Sequence, residues 1–439
     1  MITEQEIDLC RSCLDYAREA GASKSRVNLC KSHMELVAVL DGGVDKVTSC
    51  QDRSITVSLF VDGRYGNFST NKLSESSLRA FIFKAADTVR MLAPDPCRDL
   101  PDQSRVEKDA VSGREMGLLD ERYFDVTPQD RIRMALQMST DGEGLVSQEG
   151  EYSDEIYDNL IMDSQGTFCR QTETSFSCYM EVTVSDGKGN LLSSDWWDES
   201  PRIDGIDLAG CGRTAYRNAV AKRGPHSFRS RKCNMVVDSN VASRVVSPVL
   251  RALSGYSIQQ HDSFLEGKLG QKVFPEGMTI TDEGRRKGSS NSRSFDSEGV
   301  ATVERNIIDK GVIKEYFLNT YMSNKLGMPA TAESAVRPRI PAWPEKGTSR
   351  DDILRLCGEG ILVTDFNGGN SNSATGDFSF GVEGFVFKDG KIMWPVREML
   401  VTGNFTELWN NFIAAADDAR ECMSKLIPTL AFSNVDFSG

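Results

Sequence analysis

With 439 residues, 39% hydrophobic and 26% charged, the chain is long enough for two domains and has a globular composition. A formal net charge of −13 argues against direct nucleic-acid binding, which draws on a basic face to neutralise phosphates. No run of about 18 apolar residues and no basic-then-apolar start is present, so neither a membrane span nor a secretory signal is expected and a cytoplasmic location follows.

The first predicted element is a helix over residues 3–20, where Ile7, Cys10, Leu14 and Ala17 recur at helical spacing before Gly21. Cys10 and Cys13 have CxxC spacing, but no second pair lies nearby to complete a four-ligand zinc site, so both are assigned to the core. The eleven cysteines follow no repeating framework, suit a reducing compartment and need no disulfides. Ile55, Val57, Leu59 and Val61 alternate with polar residues and run into Asp62-Gly63, which marks a hairpin. A helix fits Ser74 to Leu92, closed by Pro94, and Thr127-Pro128 reads as the cap and first turn of a helix reaching about Met138. Alternation from Phe176 to Val184 ahead of Asp186-Gly187 predicts a hairpin over residues 172–193. Trp196-Trp197 is assigned as a core or interface anchor. A helix over residues 208–222 ends at Arg223-Gly224-Pro225, the strongest boundary signal in the chain. The division is therefore an N-terminal α+β domain, residues 1–225, and a C-terminal strand-rich domain, residues 226–439.

Past the boundary, Met235 to Val237 reads as a strand and Ser239 as the N-cap of a helix ending near Gly255, with Pro248 expected to kink or break it. Arg285-Arg286-Lys287 reads as a solvated basic loop. From Val273 short strands dominate, among them Val300–Glu304, Ile307-Ile308, Val312–Leu318, Ile361–Thr364 and Ile392–Val396. Phe378, Phe380 and Val382, then Phe385 and Phe387, suggest two short strands broken at Gly384, with Asp389-Gly390 as a turn. Strand-rich runs beside separate helices imply α+β: helices on antiparallel hairpins first, then a barrel-like or antiparallel sheet. The stretch Gly368 to Gly376 reads as a polar loop, either a place where another backbone comes close or a flexible connection. Asp365 and Asp377 fit a carboxylate pair or, more simply, turn caps.

The run Gly368-Gly369-Asn370-Ser371-Asn372, then Thr375-Gly376-Asp377-Phe378-Ser379-Phe380-Gly381, resembles the signature of the TldD/PmbA family, the so-called modulators of DNA gyrase. Phe295-Asp296-Ser297-Glu298-Gly299-Val300 and the stretch Arg53 to Asn71 are similar to further family segments, so the resemblance covers nearly the whole chain. In its TldD branch the family implies a zinc peptidase, with two imidazoles of a His-Glu-x-x-x-His helix on the metal and the carboxylate activating water. This chain has three histidines, His33, His226 and His261, none within two helical turns of another. The helix expected to carry the motif, Asn240 to Gly255, contains neither histidine nor glutamate. Cys422, near the place of the family's C-terminal ligand, is read as structural. The departure aligns the chain with the metal-free PmbA, or TldE-like, branch.

The resemblance thus implies a non-catalytic subunit of a cytosolic TldD/TldE-type peptidase, without cofactor of its own and with zinc in the partner. Its expected partners are a TldD-like paralogue, or a second copy when alone, and unfolded peptides, with no nucleic acid and no membrane. Peptide would be held by β-augmentation at Gly368, Gly369, Asn370, Ser371, Asn372, Thr375, Gly376, Asp377 and Ser379. Two other readings are an interaction protein that modulates a partner such as DNA gyrase and a stand-alone hydrolase with an unrecognised site. For the latter, no Gly-x-Ser-x-Gly elbow, phosphate loop or dinucleotide fingerprint is present.

Overall fold

A computed structural model describes residues 1–439. The first half comprises α1 (Glu4–Glu19), β1 (Lys24–Leu40), β2 (Gly43–Val61), β3 (Arg64–Thr70), α2 (Glu75–Arg90), α3 (Pro128–Gln137), β4 (Leu145–Asp163), β5 (Phe168–Ser185), β6 (Leu191–Ser200) and α4 (Leu208–Ala221). The strands form one antiparallel sheet in the order β3-β2-β1-β4-β5-β6. Helix starts follow the caps in the sequence: Thr3 and Thr127 each close a capping box, Ser74 caps α2, and Pro128 occupies the first turn of α3.

One face of this sheet carries all four helices. Ile7, Cys10 and Cys13 of α1 and Leu78 and Ile82 of α2 pack on Val27, Leu29, Ile55 and Val57, while Ala135 of α3 and Ala215 of α4 pack on Val37, Tyr152 and Met180. The CxxC cysteines are therefore core, and burial pushes both thiols up to about 12. Trp196 packs beside α4, where the Arg420 guanidinium lies 4.0 Å from its ring centroid and donates to the Trp197 carbonyl, tying the first half to the second. The sheet is larger than its sequence pattern indicated. β1 and β4 carried no prediction, β2 starts at Gly43 rather than near Ile55, and the predicted hairpin extends to Phe168 and Ser200.

The second half holds β7 (Arg231–Val237), α5 (Ser243–Ala252), α6 (Gly255–Gln259), β8 (Ile280–Asp282), β9 (Arg305–Asp309), β10 (Val312–Ile313), α7 (Thr320–Leu326), β11 (Pro338–Arg339), α8 (Arg350–Cys357), β12 (Glu359–Ser371), β13 (Asp377–Lys388), β14 (Lys391–Asn404), α9 (Phe405–Asn410), β15 (Phe412–Ala415) and β16 (Leu430–Ser438). β8 to β11 make a small sheet in the order β10-β9-β8-β11. The order β14-β13-β12-β7-β16 closes on itself where Leu400–Thr402 pairs with Asp436–Ser438, giving a five-stranded barrel with β15 outside on β16. Its core includes Val237, Ile361, Phe380, Val401, Phe432 and Phe437. The α+β expectation, with a barrel-like second half, is met. No helix is long and apolar enough to cross a membrane.

Several elements differ from the sequence pattern. β13 is one strand, not two broken at Gly384. Phe378, Phe380, Val382 and Val386 point into the barrel, whereas Phe387 faces outward onto Ile353 and Leu354 of α8, so the inward phase is kept and the apolar pattern blurs only because both faces are covered. Gly384 is instead a point of close approach, where a Cβ would sit 1.9 Å from the Leu362 carbonyl oxygen. Val300–Glu304 is no strand: Val300 and Ala301 make single bridges to Val106 and Phe295. Of Val312–Leu318 only Val312-Ile313 forms a strand, and Phe317 makes a single bridge to Ser254. Ser239 does not cap α5; Asp238 accepts from the Asn240 amide and turns the chain first, so the helix begins at Ser243. Pro248 sits inside α5, which runs through it unbroken.

Asp296-Ser297-Glu298-Gly299 is a turn. The Asp296 carboxylate accepts from the Glu298 and Val300 amides, each at 2.9 Å, and Glu298 accepts from Thr320 at the start of α7. Burial, reinforced by the charge of Glu298, raises the Asp296 carboxyl to about 6. A carboxyl raised on folding holds its proton more readily in the native state, so its contribution is fully present below the unfolded value and is lost as pH rises through about 6. Between pH 5 and 7 the wild type should therefore lose about 1 kcal/mol that the Asp296→Asn variant keeps. Parallel pH–stability curves for the two proteins would refute this role.

Candidate functional site

β7 and β12 run parallel from Asn234/Gly360 to Val237/Val363, and the Asp238 amide makes the last bond, to the Val363 carbonyl, at 3.0 Å. There the chain leaves β7 for α5. β12 continues alone on that side, so Thr364 to Ser371 keep β13 as their only strand partner and present a free edge. α5 stands across the opening, which leaves a cleft of about 620 Å³ between the helix and the edge.

α5 is amphipathic, and its sequence sets which side faces the cleft. Val245, Val246, Val249 and Leu250 are buried in the barrel core. The polar residues Ser243, Arg244, Ser247 and Arg251 recur at helical spacing on the opposite face and line the cleft, preceded by Asn240 in the turn. Arg244 donates to the Gly369 carbonyl at 3.3 Å, and its guanidinium lies 4.6 Å from the Phe380 ring centroid. Phe264, Phe366, Phe380 and Phe405 make the base of the cleft, with Phe264 stacked on Phe405 and Phe366 edge-on to Phe380.

The signature divides between two roles. Gly369, Asn370, Ser371 and Asn372 line the cleft. Gly368, Thr375, Gly376, Asp377 and Ser379 are not among its walls. Gly368 to Ser371 belong to β12 rather than to a loop, and the turn proper is Asn372 to Gly376. Gly369 has φ +96°, and a Cβ there would meet the Ser379 carbonyl oxygen at 2.1 Å, so this bulge in β12 needs glycine.

The turn is closed by its own side chains. Asn372 Oδ1 accepts from the amides of Ala374 and Thr375, while Thr375 Oγ1 and Asn404 Nδ2 both donate to the Asp377 carboxylate. Those two bonds, Asn404 first, hold the Asp377 carboxyl below the usual carboxylate range. Asp377 thus acts as a turn cap, and Asp365 lies 3.8 Å from Lys222, the residue that caps the end of α4. Asp377 to Gly381 cannot accept an added strand, contrary to expectation, since β12 and β14 already flank it; the unpaired edge beside the signature is that of β12.

Sequence reasoning missed the α5 face. The signal is the polar stripe Asn240, Ser243, Arg244, Ser247 and Arg251, which recurs at helical spacing and contains no metal ligand. His33 lies on β1, His226 ahead of β7 and His261 after α6. Amides, hydroxyls, guanidinium groups and a proline are not the imidazole, thiolate or carboxylate donors that zinc takes, so the cleft face of α5 does not fit that metal.

Two family models match, described as the PmbA/TldA metallopeptidase central domain at residues 121–223 and the C-terminal domain at residues 230–439. The chain belongs to the PmbA/TldD family. A solved structure from Bacteroides thetaiotaomicron, named as a candidate modulator of DNA gyrase, is 36% identical with both chains fully covered and a TM-score of 0.95. The metalloprotease PmbA homologue of Haemophilus influenzae is 26% identical over 421 residues, 94% of this chain and 92% of that one. TldE from Thermococcus kodakarensis, 18% identical, shares the fold with a TM-score of 0.84 over 98% of this chain and all of that one.

Proposed function

We propose that this chain is the non-catalytic subunit of a TldD/TldE-type zinc metallopeptidase and holds an extended, unfolded peptide along the free edge of β12. The observation that carries the reading is the pairing of that edge with an α5 face built of Asn240, Ser243, Arg244, Ser247 and Arg251. A free edge gives main-chain hydrogen bonds to any extended peptide, hence affinity without sequence preference. The phenylalanine base receives apolar side chains, and the two arginines attract carboxylates, including a peptide C-terminus. Zinc and the water-activating base would come from a TldD-like paralogue docked in the cytosol.

The test is binding of an unstructured peptide to the isolated chain, followed by amide hydrogen exchange. Protection should appear at Thr364–Ser371, and Asn370→Ala should weaken binding while changing stability by no more than about 0.5 kcal/mol. Asn372→Ala should instead cost about 1 kcal/mol of stability, because its carbonyl oxygen holds the turn. Protection confined to another strand edge would refute the assignment.

A further inference from the structure

The helices cover one face of the first sheet, and its other face is polar. Strand alternation puts Thr56 and Ser58 of β2, Arg26 and Asn28 of β1, Asn159 of β4 and Gln171 of β5 on that side. Residues 291–298 of the second half lie across it, leaving a cavity of about 750 Å³, larger than the β12 cleft and of the size that holds small ligands. Gln171 fixes this cover by donating to the Ser292 carbonyl at 3.2 Å and accepting from the Ser294 amide at 2.9 Å.

Four donor atoms at the walls are buried and bond to no other group of the protein: Nε and Nη2 of Arg26, Nε of Arg293 and the hydroxyl of Ser292, a residue 1% exposed. Nε and Nη2 are the two parallel donors on one side of a guanidinium, the fork that takes a carboxylate through two bonds. The protein closes the same fork twice elsewhere, on Arg131 with Asp154 and on Arg170 with Asp158. Arg26 has no such carboxylate. Asp163, opposite it on β4, turns Oδ1 to the amides of Gln165 and Thr167, and its Oδ2 bonds to nothing.

The carboxylates of the walls are already provided with donors. Glu173 accepts from Gln171, Asp296 from the Glu298 and Val300 amides, Glu298 from Thr320, and Glu333 from Ser297. The unspent groups are therefore donors, and a buried guanidinium N–H without an acceptor is costly, which favours an oxygen anion beside it. Arg26, Arg98 and Arg293 share the cavity with those four carboxylates, so a ligand that brings only negative charge would meet repulsion. One that also carries donors of its own suits both kinds of wall.

We infer that this cavity is a second ligand site, which takes a small organic carboxylate bearing hydroxyl, amide or ammonium groups, with its carboxylate on the side-on fork of Arg26. The site is separate from the β12 cleft and does not depend on what that cleft binds.

The test is isothermal titration calorimetry on the full-length chain with L-malate, L-glutamine and inorganic phosphate as probes. At least one of the two carboxylates should bind with a dissociation constant of about 1 mM or below. Arg26→Gln, and Arg26→Lys, which keeps the charge but not the fork, should each weaken that binding at least about tenfold. Arg293→Gln, on the covering segment, should weaken it as well. All three variants should melt close to the wild type, because no protein acceptor is left behind. Four results would each overturn the inference: no binding of either carboxylate at 10-fold that concentration, binding of phosphate alone, binding that ignores the Arg26 changes, or Arg26 variants that melt far below the wild type, which would make the arginine a structural partner of Asp163.

Discussion

Ser247→Trp should weaken peptide binding at least about tenfold, or ~1.4 kcal/mol, while the protein melts close to the wild-type temperature. Ser247 lies midway along the cleft face of α5, on a helix whose opposite side is anchored by Val245, Val246, Val249 and Leu250. An indole there projects into the space between helix and edge that an extended chain would occupy. It does so without disturbing the barrel core, because the residue it replaces is on the cleft side. Fluorescence anisotropy with a labelled unstructured peptide reads the loss, and a thermal melt reads the fold. Unchanged binding by a normally folded variant would place the peptide elsewhere.

Asp154→Ala should destabilise the first half by ~3–5 kcal/mol, a large part of the 5–15 kcal/mol typical of a whole domain. Asp154 is fully buried on β4 and accepts from Arg131 of α3 through both oxygens, at 2.7 and 2.8 Å, with Tyr152 donating to it at 3.1 Å. Removing the carboxylate leaves a guanidinium beside the sheet without its bonded counter-charge and with little access to water. Hydrogen exchange should show β1, β4 and β5 opening together, with the barrel strands protected as before. A loss below about 1 kcal/mol would mean that solvent reaches Arg131 and screens it.

The same aspartates explain what the sequence hid. β4 is a regular strand with Tyr152, Asp154, Ile156, Asp158 and Leu160 all turned inward, but two of those five are carboxylates paired with Arg131 and Arg170. A pattern that scores apolar alternation cannot register them, since the arginines come from other elements. Capped helices were legible because their signals are local: Thr3, Ser74 and Thr127-Pro128 each act within one turn. Half of the site was legible for the same reason. The small residues of Gly369 to Asn372 announced a close backbone approach, whereas the free edge of β12 arises only because β7 ends at Val237, some 120 residues earlier in the chain. Nothing local to the signature records where its neighbour stops.

The measurement that tests the proposed role most directly is peptide hydrolysis by the isolated chain beside hydrolysis by the chain mixed with a TldD-like paralogue. The account predicts no cleavage by the chain alone and cleavage on mixing, abolished by a chelator and restored by zinc. Cleavage by the chain alone at the rate of the mixture would contradict it.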